Sequence, residues 1–335
     1  MSHRRRFIRE AGLTAAGLAL SAVPSLAARP DGRRSLTILH TNDVHSRLEP
    51  FPADAGGNAG RGGVAARAAL VSRIRSEAEH VLLLDAGDIF QGTPFFNIFK
   101  GEPELRAMSL MGYDATTMGN HDFDAGIANF AEQVAAHARF PVVVCNYDFA
   151  GTPMEYRHIP RMVVRKGDLR IGITGVGIEL QGLVPQELYG GTRYLDPLAE
   201  ADRQAYQLRR REGCDLVICL SHLGDAYKDG KVSDERLAQD TEHIDLIIGG
   251  HTHRFFDAPR VYRNRAGRPV AVNQVGWGGL RLGRLDYVFE SGKAHRLKEN
   301  AALLIEKKSG TKKFFFQPSP LFSPPCPNEI HRQIF

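Results

Sequence analysis

The sequence predicts an α/β protein folded as a two-sheet β-sandwich flanked by α-helices. Two observations carry this expectation. Apolar runs of strand length alternate with helical patterns through the first part of the chain, whereas strands follow strands towards residue 290. Five of the apolar runs also end in a small or Gly-rich turn followed by a polar residue, the pattern of strand ends that carry functional loops. With 335 residues the chain is long enough for one large domain or two small ones.

Residues 28–35 read as a polar linker, and "SLTILHTND" as a strand over 35–43. The Gly-rich stretch "PFPADAGGNAGRGG" at 50–63 has no P-loop Lys and Ser/Thr pair. It reads as a connection into a helix over 64–80, with apolar residues on one face and Arg and Glu on the other. A strand at 81–85, a helix at 100–111, a short strand at 114–118, a helix at 125–138 and a strand at 141–145 follow. "MVVRKGDLRIGITGVG" at 162–177 predicts a hairpin turning at Gly167-Asp168. A helix at 196–212 precedes a strand at 215–220, and a helix at 233–239 precedes a strand at 244–248. Strands at about 261–264, 268–275 and 281–289 complete a domain expected over 36–290. Residues 291–335 read as a basic, Pro-rich tail, disordered from about 305, with no assignable role.

The five polar motifs are Asp43-Val44-His45, Gly87-Asp88, Gly119-Asn120-His121-Asp122, Ser221-His222 and Gly249-Gly250-His251-Thr252-His253. Any one of them alone has an ordinary structural reading, such as a hydrogen-bonded core histidine. Five behind five strands supply Asp, His, Asp, Asn, His, His and His, the ligand list for two divalent metals side by side. Asp43 and His45, like His251 and His253, are spaced i and i+2. Such residues share a side in an extended segment and can splay towards two metals in a tight turn. Carboxylate oxygens mixed with imidazoles suit Mn, Zn, Fe or Co without thiolates. Two such ions about 3.5–4 Å apart can activate a water and hold a phosphoryl group against it.

The motifs "ILHTNDVHS", "LLLDAGDIFQGTP", "MGNHDFDAG", "LSHLG" and "IIGGHTH" resemble those of the calcineurin-like metallophosphoesterases, and within them the 5′-nucleotidase branch. The resemblance covers about residues 36–290 and implies a four-layer α/β/β/α fold. It also implies roles. Asp43, His45 and His253 would hold one metal, Asn120, His222 and His251 the other, and Asp88 would bridge them. His121 would face the phosphate and stabilise the leaving oxygen, oriented by Asp124. The implied reaction is in-line attack of a metal-activated hydroxide on the phosphorus of a small phosphate ester, by expectation a nucleoside 5′-monophosphate.

Full-length members of that branch carry a C-terminal domain that stacks the nucleobase. The 335 residues leave no room for it, so the expectation is a separate chain supplying that domain, or broad acceptance of small esters. Thiosulfohydrolases and cyclic-nucleotide phosphodiesterases resemble the same scaffold and stand as alternatives. A non-catalytic metal-binding subunit is the alternative of another class, against which the complete ligand set with His121 and Asp124 argues.

Two further stretches border the motifs. "FQGTPFFNIF" places Phe95 and Phe96 just after Asp88, where they either stack a base or pack in the core. "NQVGWGG" puts the sole tryptophan, Trp277, among glycines, as a stacking platform or as a ring packed over the sheet edge.

The formal net charge is +5, but residues 1–27 hold Arg4, Arg5, Arg6 and Arg9 against Glu10. Without them the balance is +2, which argues against a dedicated nucleic-acid binder. The segment "RRRFIREAGLTAAGLALSAVPSLA" resembles a twin-arginine export signal, with a small-residue cleavage site at Ser25-Leu26-Ala27. Its apolar run is too short for a convincing membrane span. A periplasmic or exported enzyme, carried by the twin-arginine machinery, is expected. Four cysteines make no disulfide framework in a chain of this size. Cys145, Cys214 and Cys219 sit in or beside apolar strands and read as buried thiols, while Cys326 falls in the tail.

Overall fold

The computed structural model describes residues 33–290 and 295–306. The proposed export signal, most of the 28–35 linker, Cys326 and the end of the tail lie outside the described residues.

Strand β1 (Arg34–Thr41) leads through the Gly-rich loop to helix α1 (Val64–Glu77) and strand β2 (Val81–Asp85). Helices α2 (Pro94–Phe99) and α3 (Glu102–Met111) precede strand β3 (Ala115–Thr116), and helix α4 (Ile127–His137) follows it. A two-stranded ribbon pairs β4 (Tyr147–Asp148) with β7 (Arg193–Tyr194). Between them lie the hairpin β5 (Arg161–Lys166) and β6 (Leu169–Val176) and the short helix α5 (Gln186–Tyr189). Next come α6 (Pro197–Tyr206), β8 (Leu216–Ser221), α7 (Asp234–Asp240) and β9 (Leu246–Gly249). Strands β10 (Arg260–Arg263), β11 (Pro269–Asn273), β12 (Arg281–Phe289) and β13 (Arg296–Leu304) close the fold.

The strands make two main sheets, one in the order β13-β12-β1-β2-β3 and the other in the order β10-β11-β9-β8-β6-β5. Strands β1, β2 and β3 run parallel in the first, as do β6, β8, β9 and β11 in the second. Side chains alternate across each strand, so both faces must find cover. Leu36, Ile38, Leu82 and Leu84 point inward and meet Ile171, Ile173, Leu216, Ile218, Leu246 and Ile248 of the other sheet. Leu39 and Leu83 point outward into a cluster with Val71, Ile74, Leu105, Met108, Phe130 and Val134 of α1, α3 and α4. Val217, Cys219 and Ile247 do the same on the other side, against Ala201 and Ala205 of α6 and Leu237 of α7. Two sheets covered by helices on their outer faces give the α/β/β/α arrangement that the motifs implied.

Differences from the sequence reading have local causes. The expected helix at 196–212 begins as predicted, with Pro197 at its first turn and the Asp196 carboxylate accepting from the Leu198 and Ala199 amides at 2.9 and 3.2 Å. It ends at Tyr206, and one wide turn over Gln207–Arg211 follows. The expected strand at 141–145 makes only isolated bridges, Val142 with Thr116 and Val143 with Ile159. The domain does not stop at residue 290. Strand β13 pairs antiparallel with β12, and Ile305 is buried beyond it, so the segment predicted as the start of a tail is the edge of the first sheet. Its mixed sequence, RLKENAALL, is that of a strand facing solvent on one side. Cys145, Cys214 and Cys219 are free and buried, as read from the sequence.

Candidate metal centre

All five motifs lie just beyond strand carboxyl ends, at one end of the sandwich. The backbone turns sharply there. Asp43, His45, Asp88, His251 and His253 all have φ between 50° and 72°. Left-handed backbone at non-glycine residues costs energy, and strain of this kind concentrates at functional sites. His251 and His253 fall in different ligand groups, as the spacing allowed, whereas Asp43 and His45 stay together in one.

Asp43, His45, Asp88 and His253 offer ligand atoms that all lie within 4.8 Å of one another, and Asp88, His222 and His251 form a second such group. Asp88 belongs to both. His45 Nε2 and His253 Nε2 face each other at 3.0 Å, and Asp43 Oδ1 lies 3.4 Å from His253 Nε2. In the second group, His222 Nε2 lies 3.1 Å from Asp88 Oδ2. Asn120 Oδ1 is 2.9 Å from His251 Nδ1, which places Asn120 beside this group. For two of the rings, the far nitrogen is held by the backbone. His222 Nδ1 is 2.7 Å from the Ala86 carbonyl, and His45 Nδ1 is 3.2 Å from that of Phe90. Such outer contacts fix which imidazole nitrogen faces a metal.

The residues fit a pair of divalent cations. His222 Nε2 is fully buried 3.1 Å from Asp88 Oδ2 and 3.8 Å from Asp43 Oδ1 without well-formed hydrogen-bond geometry, a costly state unless the atom has a ligand to bind. Burial pushes the His45 imidazole below its ordinary value and that of His251 down to about 4, so both stay neutral with a lone pair to give. Burial would also lower His222, but the Asp88 and Asp43 carboxylates raise it to about 10. Burial favours the neutral form of Asp88, but the charge and hydrogen bond of His222 together with the nearby His45 and His121 outweigh it and hold the carboxyl below the usual range. The carboxylates thus draw positive charge into this pocket.

His121 stands next to the cluster. Its backbone amide donates to Asp88 Oδ1 at 2.8 Å, and its ring meets His45 edge-on with centroids 5.3 Å apart. Nδ1 is 2.8 Å from Asp124 Oδ2. That hydrogen bond is the main reason its imidazole is raised above the ordinary value, with burial opposing.

The Calcineurin-like phosphoesterase profile matches residues 36–255. The chain belongs to the calcineurin-like phosphoesterase family. It is 33% identical over 295 residues to the 5′-nucleotidase of Bos taurus, covering 82% of this chain and 49% of that protein. It is 33% identical over 298 residues to the snake venom 5′-nucleotidase of Gloydius brevicauda, covering 83% of this chain and 49% of that one. Among solved structures, the 5′-nucleotidase precursor of Thermus thermophilus superposes with a TM-score of 0.73 at 32% identity, covering 81% of this chain and 55% of that chain. The chain therefore spans about half the length of these relatives.

The phosphoesterase site depends on residues that sequence reading passed over. Asp122 is buried and accepts from the amides of Gly119, Asp88 and Ile89 at 2.8, 3.1 and 3.0 Å, tying the loops after β2 and β3 together. Asn42 donates to Asp43 Oδ2 and to the Gly276 carbonyl, both at 2.6 Å, and accepts from the Val275 amide at 2.9 Å. Gln274 donates to the Gly250 carbonyl at 2.6 Å and accepts from the Arg254 amide. Their signal in the sequence was a polar residue directly beside a ligand or a strand end. Gly119 is there for space, since a Cβ would fall 2.1 Å from Asp88 Oδ1 and 2.6 Å from His222 Nε2.

The aromatic residues divide. Phe96 is buried against Phe90, with centroids 5.3 Å apart, which is the core alternative. Phe95 is half-buried and stacks with Phe99 at 6.5 Å. Trp277 is half-buried, with its ring 17° from parallel to His253 at 6.0 Å and edge-on to Phe51 at 5.5 Å.

Proposed function

We propose that this phosphoesterase hydrolyses phosphate monoesters, nucleoside 5′-monophosphates foremost, with the help of two divalent metals. The observation that carries the reading is the convergence of seven ligand residues in two groups sharing Asp88, with the His121–Asp124 pair alongside. Asp43, His45 and His253 would hold one ion, Asn120, His222 and His251 the other, and Asp88 both. When bound, the two ions supply a water of lowered pKa and positive charge for the phosphoryl oxygens. Mn, Zn, Fe and Co all suit this donor set.

The chain's own residues do the rest. Asp124 fixes the His121 ring through Nδ1, which leaves Nε2 for the leaving oxygen. The raised imidazole keeps its proton at neutral pH more readily than a free histidine, as a group that stabilises or protonates a leaving alkoxide should. Asp122, Asn42 and Gln274 hold the loops so that the ligands are placed before substrate arrives. A metal clamp by itself gives rate but little choice between esters, because discrimination needs contacts to the part that does not react. In this reading the half-buried rings of Phe95 and Trp277 are the aromatic surfaces offered to a base. Further base contacts would come from a partner chain carrying a nucleotidase C-terminal domain.

We also infer export by the twin-arginine machinery to the periplasm or beyond, supported by the arginines and the small-residue cleavage site within residues 1–27. Among the described residues no helix is long and apolar enough to cross a membrane.

The test of substrate class is phosphate release from AMP and p-nitrophenyl phosphate, and formation of the nucleoside monophosphate from UDP-glucose and a cyclic nucleotide, by metal-loaded protein. Release from the two monoesters is expected. Turnover of the cyclic nucleotide or UDP-glucose alone would overturn the monoesterase assignment.

A further inference from the structure

The candidate ligands are not all supported alike. His45 and His222 each set Nδ1 against a backbone carbonyl, which fixes the rotation of the ring. His253 has no hydrogen bond at Nδ1 among the described residues, and its side chain is 41% exposed, against 9% for His45 and 0% for His222. An imidazole on a half-exposed side chain would turn freely about its last bond. The His45 ring meets it edge-on at 5.0 Å, and its face lies against the indole of Trp277, near-parallel at 17° with centroids 6.0 Å apart.

The indole is itself fixed. The Gly276 amide donates to the Arg254 carbonyl at 2.8 Å, and the Gly278 amide donates to the Asp43 carbonyl at 2.7 Å. Trp277 is therefore pinned on either side to the backbones of Asp43 and of the residue after His253. Its edge meets Phe51 at 5.5 Å and 88°, and the Arg47 guanidinium lies over the Phe51 ring at 4.2 Å. Arg47, Phe51, Trp277 and His253 thus form one continuous series of ring contacts leading from the loop after β1 to the candidate metal ligands. Gly278 makes room for it, since its φ is +63° and a Cβ there would lie 2.9 Å from the Phe51 ring.

We propose that Trp277 is a positioning residue for His253, holding the imidazole by ring stacking with Nε2 towards Asp43 and His45, in the place of the carbonyl that orients His45 and His222. This rests on the two-metal reading of the site. It assigns Trp277 a role in the occupancy of one metal position and none in that of the other.

The test is zinc affinity, measured by competition with a chromophoric chelator. In a His251→Ala background, which leaves the position of Asp43, His45 and His253, Trp277→Leu is expected to weaken zinc about ten- to a hundredfold, the range for loss of an outer contact to a ligand. Trp277→Phe, which keeps a planar face, is expected to stay within a few-fold. In a His45→Ala background, which leaves the other position, neither change is expected to matter. Because Trp277 is the sole tryptophan, its emission in the parent protein is expected to change on filling the first position and not the second. Equal zinc affinity of the Leu and Phe variants in the His251→Ala background would overturn the positioning role. A parent protein that binds fewer than two zinc ions would instead contradict the metal-centre reading beneath it.

Discussion

Among single residues, the groups that would hold metal are distinct from the one that would act on substrate. His121→Ala is expected to lower kcat at least about a hundredfold, the ordinary worth of a positioned acid or base, while the protein keeps its metal. Loss of metal together with activity would make His121 a ligand and contradict its placement beside Asp124. The pair also predicts a pH effect. Hydrogen bonding to Asp124 raises the His121 imidazole, so its protonated form persists to higher pH than that of a free histidine. Asp124→Asn removes that support, and the alkaline limb of the kcat profile is expected to move to lower pH. These residues were legible because each chemical motif follows a small or Gly-rich turn at the end of an apolar strand. Asp122 was not legible as a structural clamp, because in sequence it looks like another acid in an acid-rich motif. Its role becomes visible only when the loops after β2 and β3 lie side by side.

Among the elements, the site is a set of loops locked to one another. Asp122→Ala would strand several buried amides and is expected to cost at least about 3 kcal/mol, since each unpaired buried group costs roughly 1–3 kcal/mol. Urea unfolding measures this directly. Gly119→Ala tests space rather than hydrogen bonding. A Cβ would meet both Asp88 and His222, so the variant is expected to fold yet hold fewer than two metals, read by elemental analysis. The strands were easy to place where apolar runs of strand length were bounded by turn residues, as in β2 and the β5–β6 hairpin. The ribbon of β4 and β7 was missed because two-residue strands carry no periodicity, and α2 because four of its six residues are Pro or Phe. Strand β13 was missed for another reason. It is an edge strand, and the charged positions of RLKENAALL read as tail until β12 is seen to pair with it.

Across the molecule as a whole, two parallel strand sets point their carboxyl ends at one spot, and the motifs ride on those ends. Because the first sheet runs on through β13 to the buried Ile305, a chain ending at residue 290 is expected to melt at a clearly lower temperature than one ending at 306. Equal melting temperatures would mean that the edge strand adds nothing. The two-metal phosphoesterase itself is put to the test by a metal titration of stripped protein, following phosphate release from AMP as Mn or Zn is added. Activity is expected to be absent without metal and to rise to a plateau at two equivalents per chain. Full activity in the stripped protein, or two bound ions with no hydrolysis of AMP or p-nitrophenyl phosphate, would contradict it.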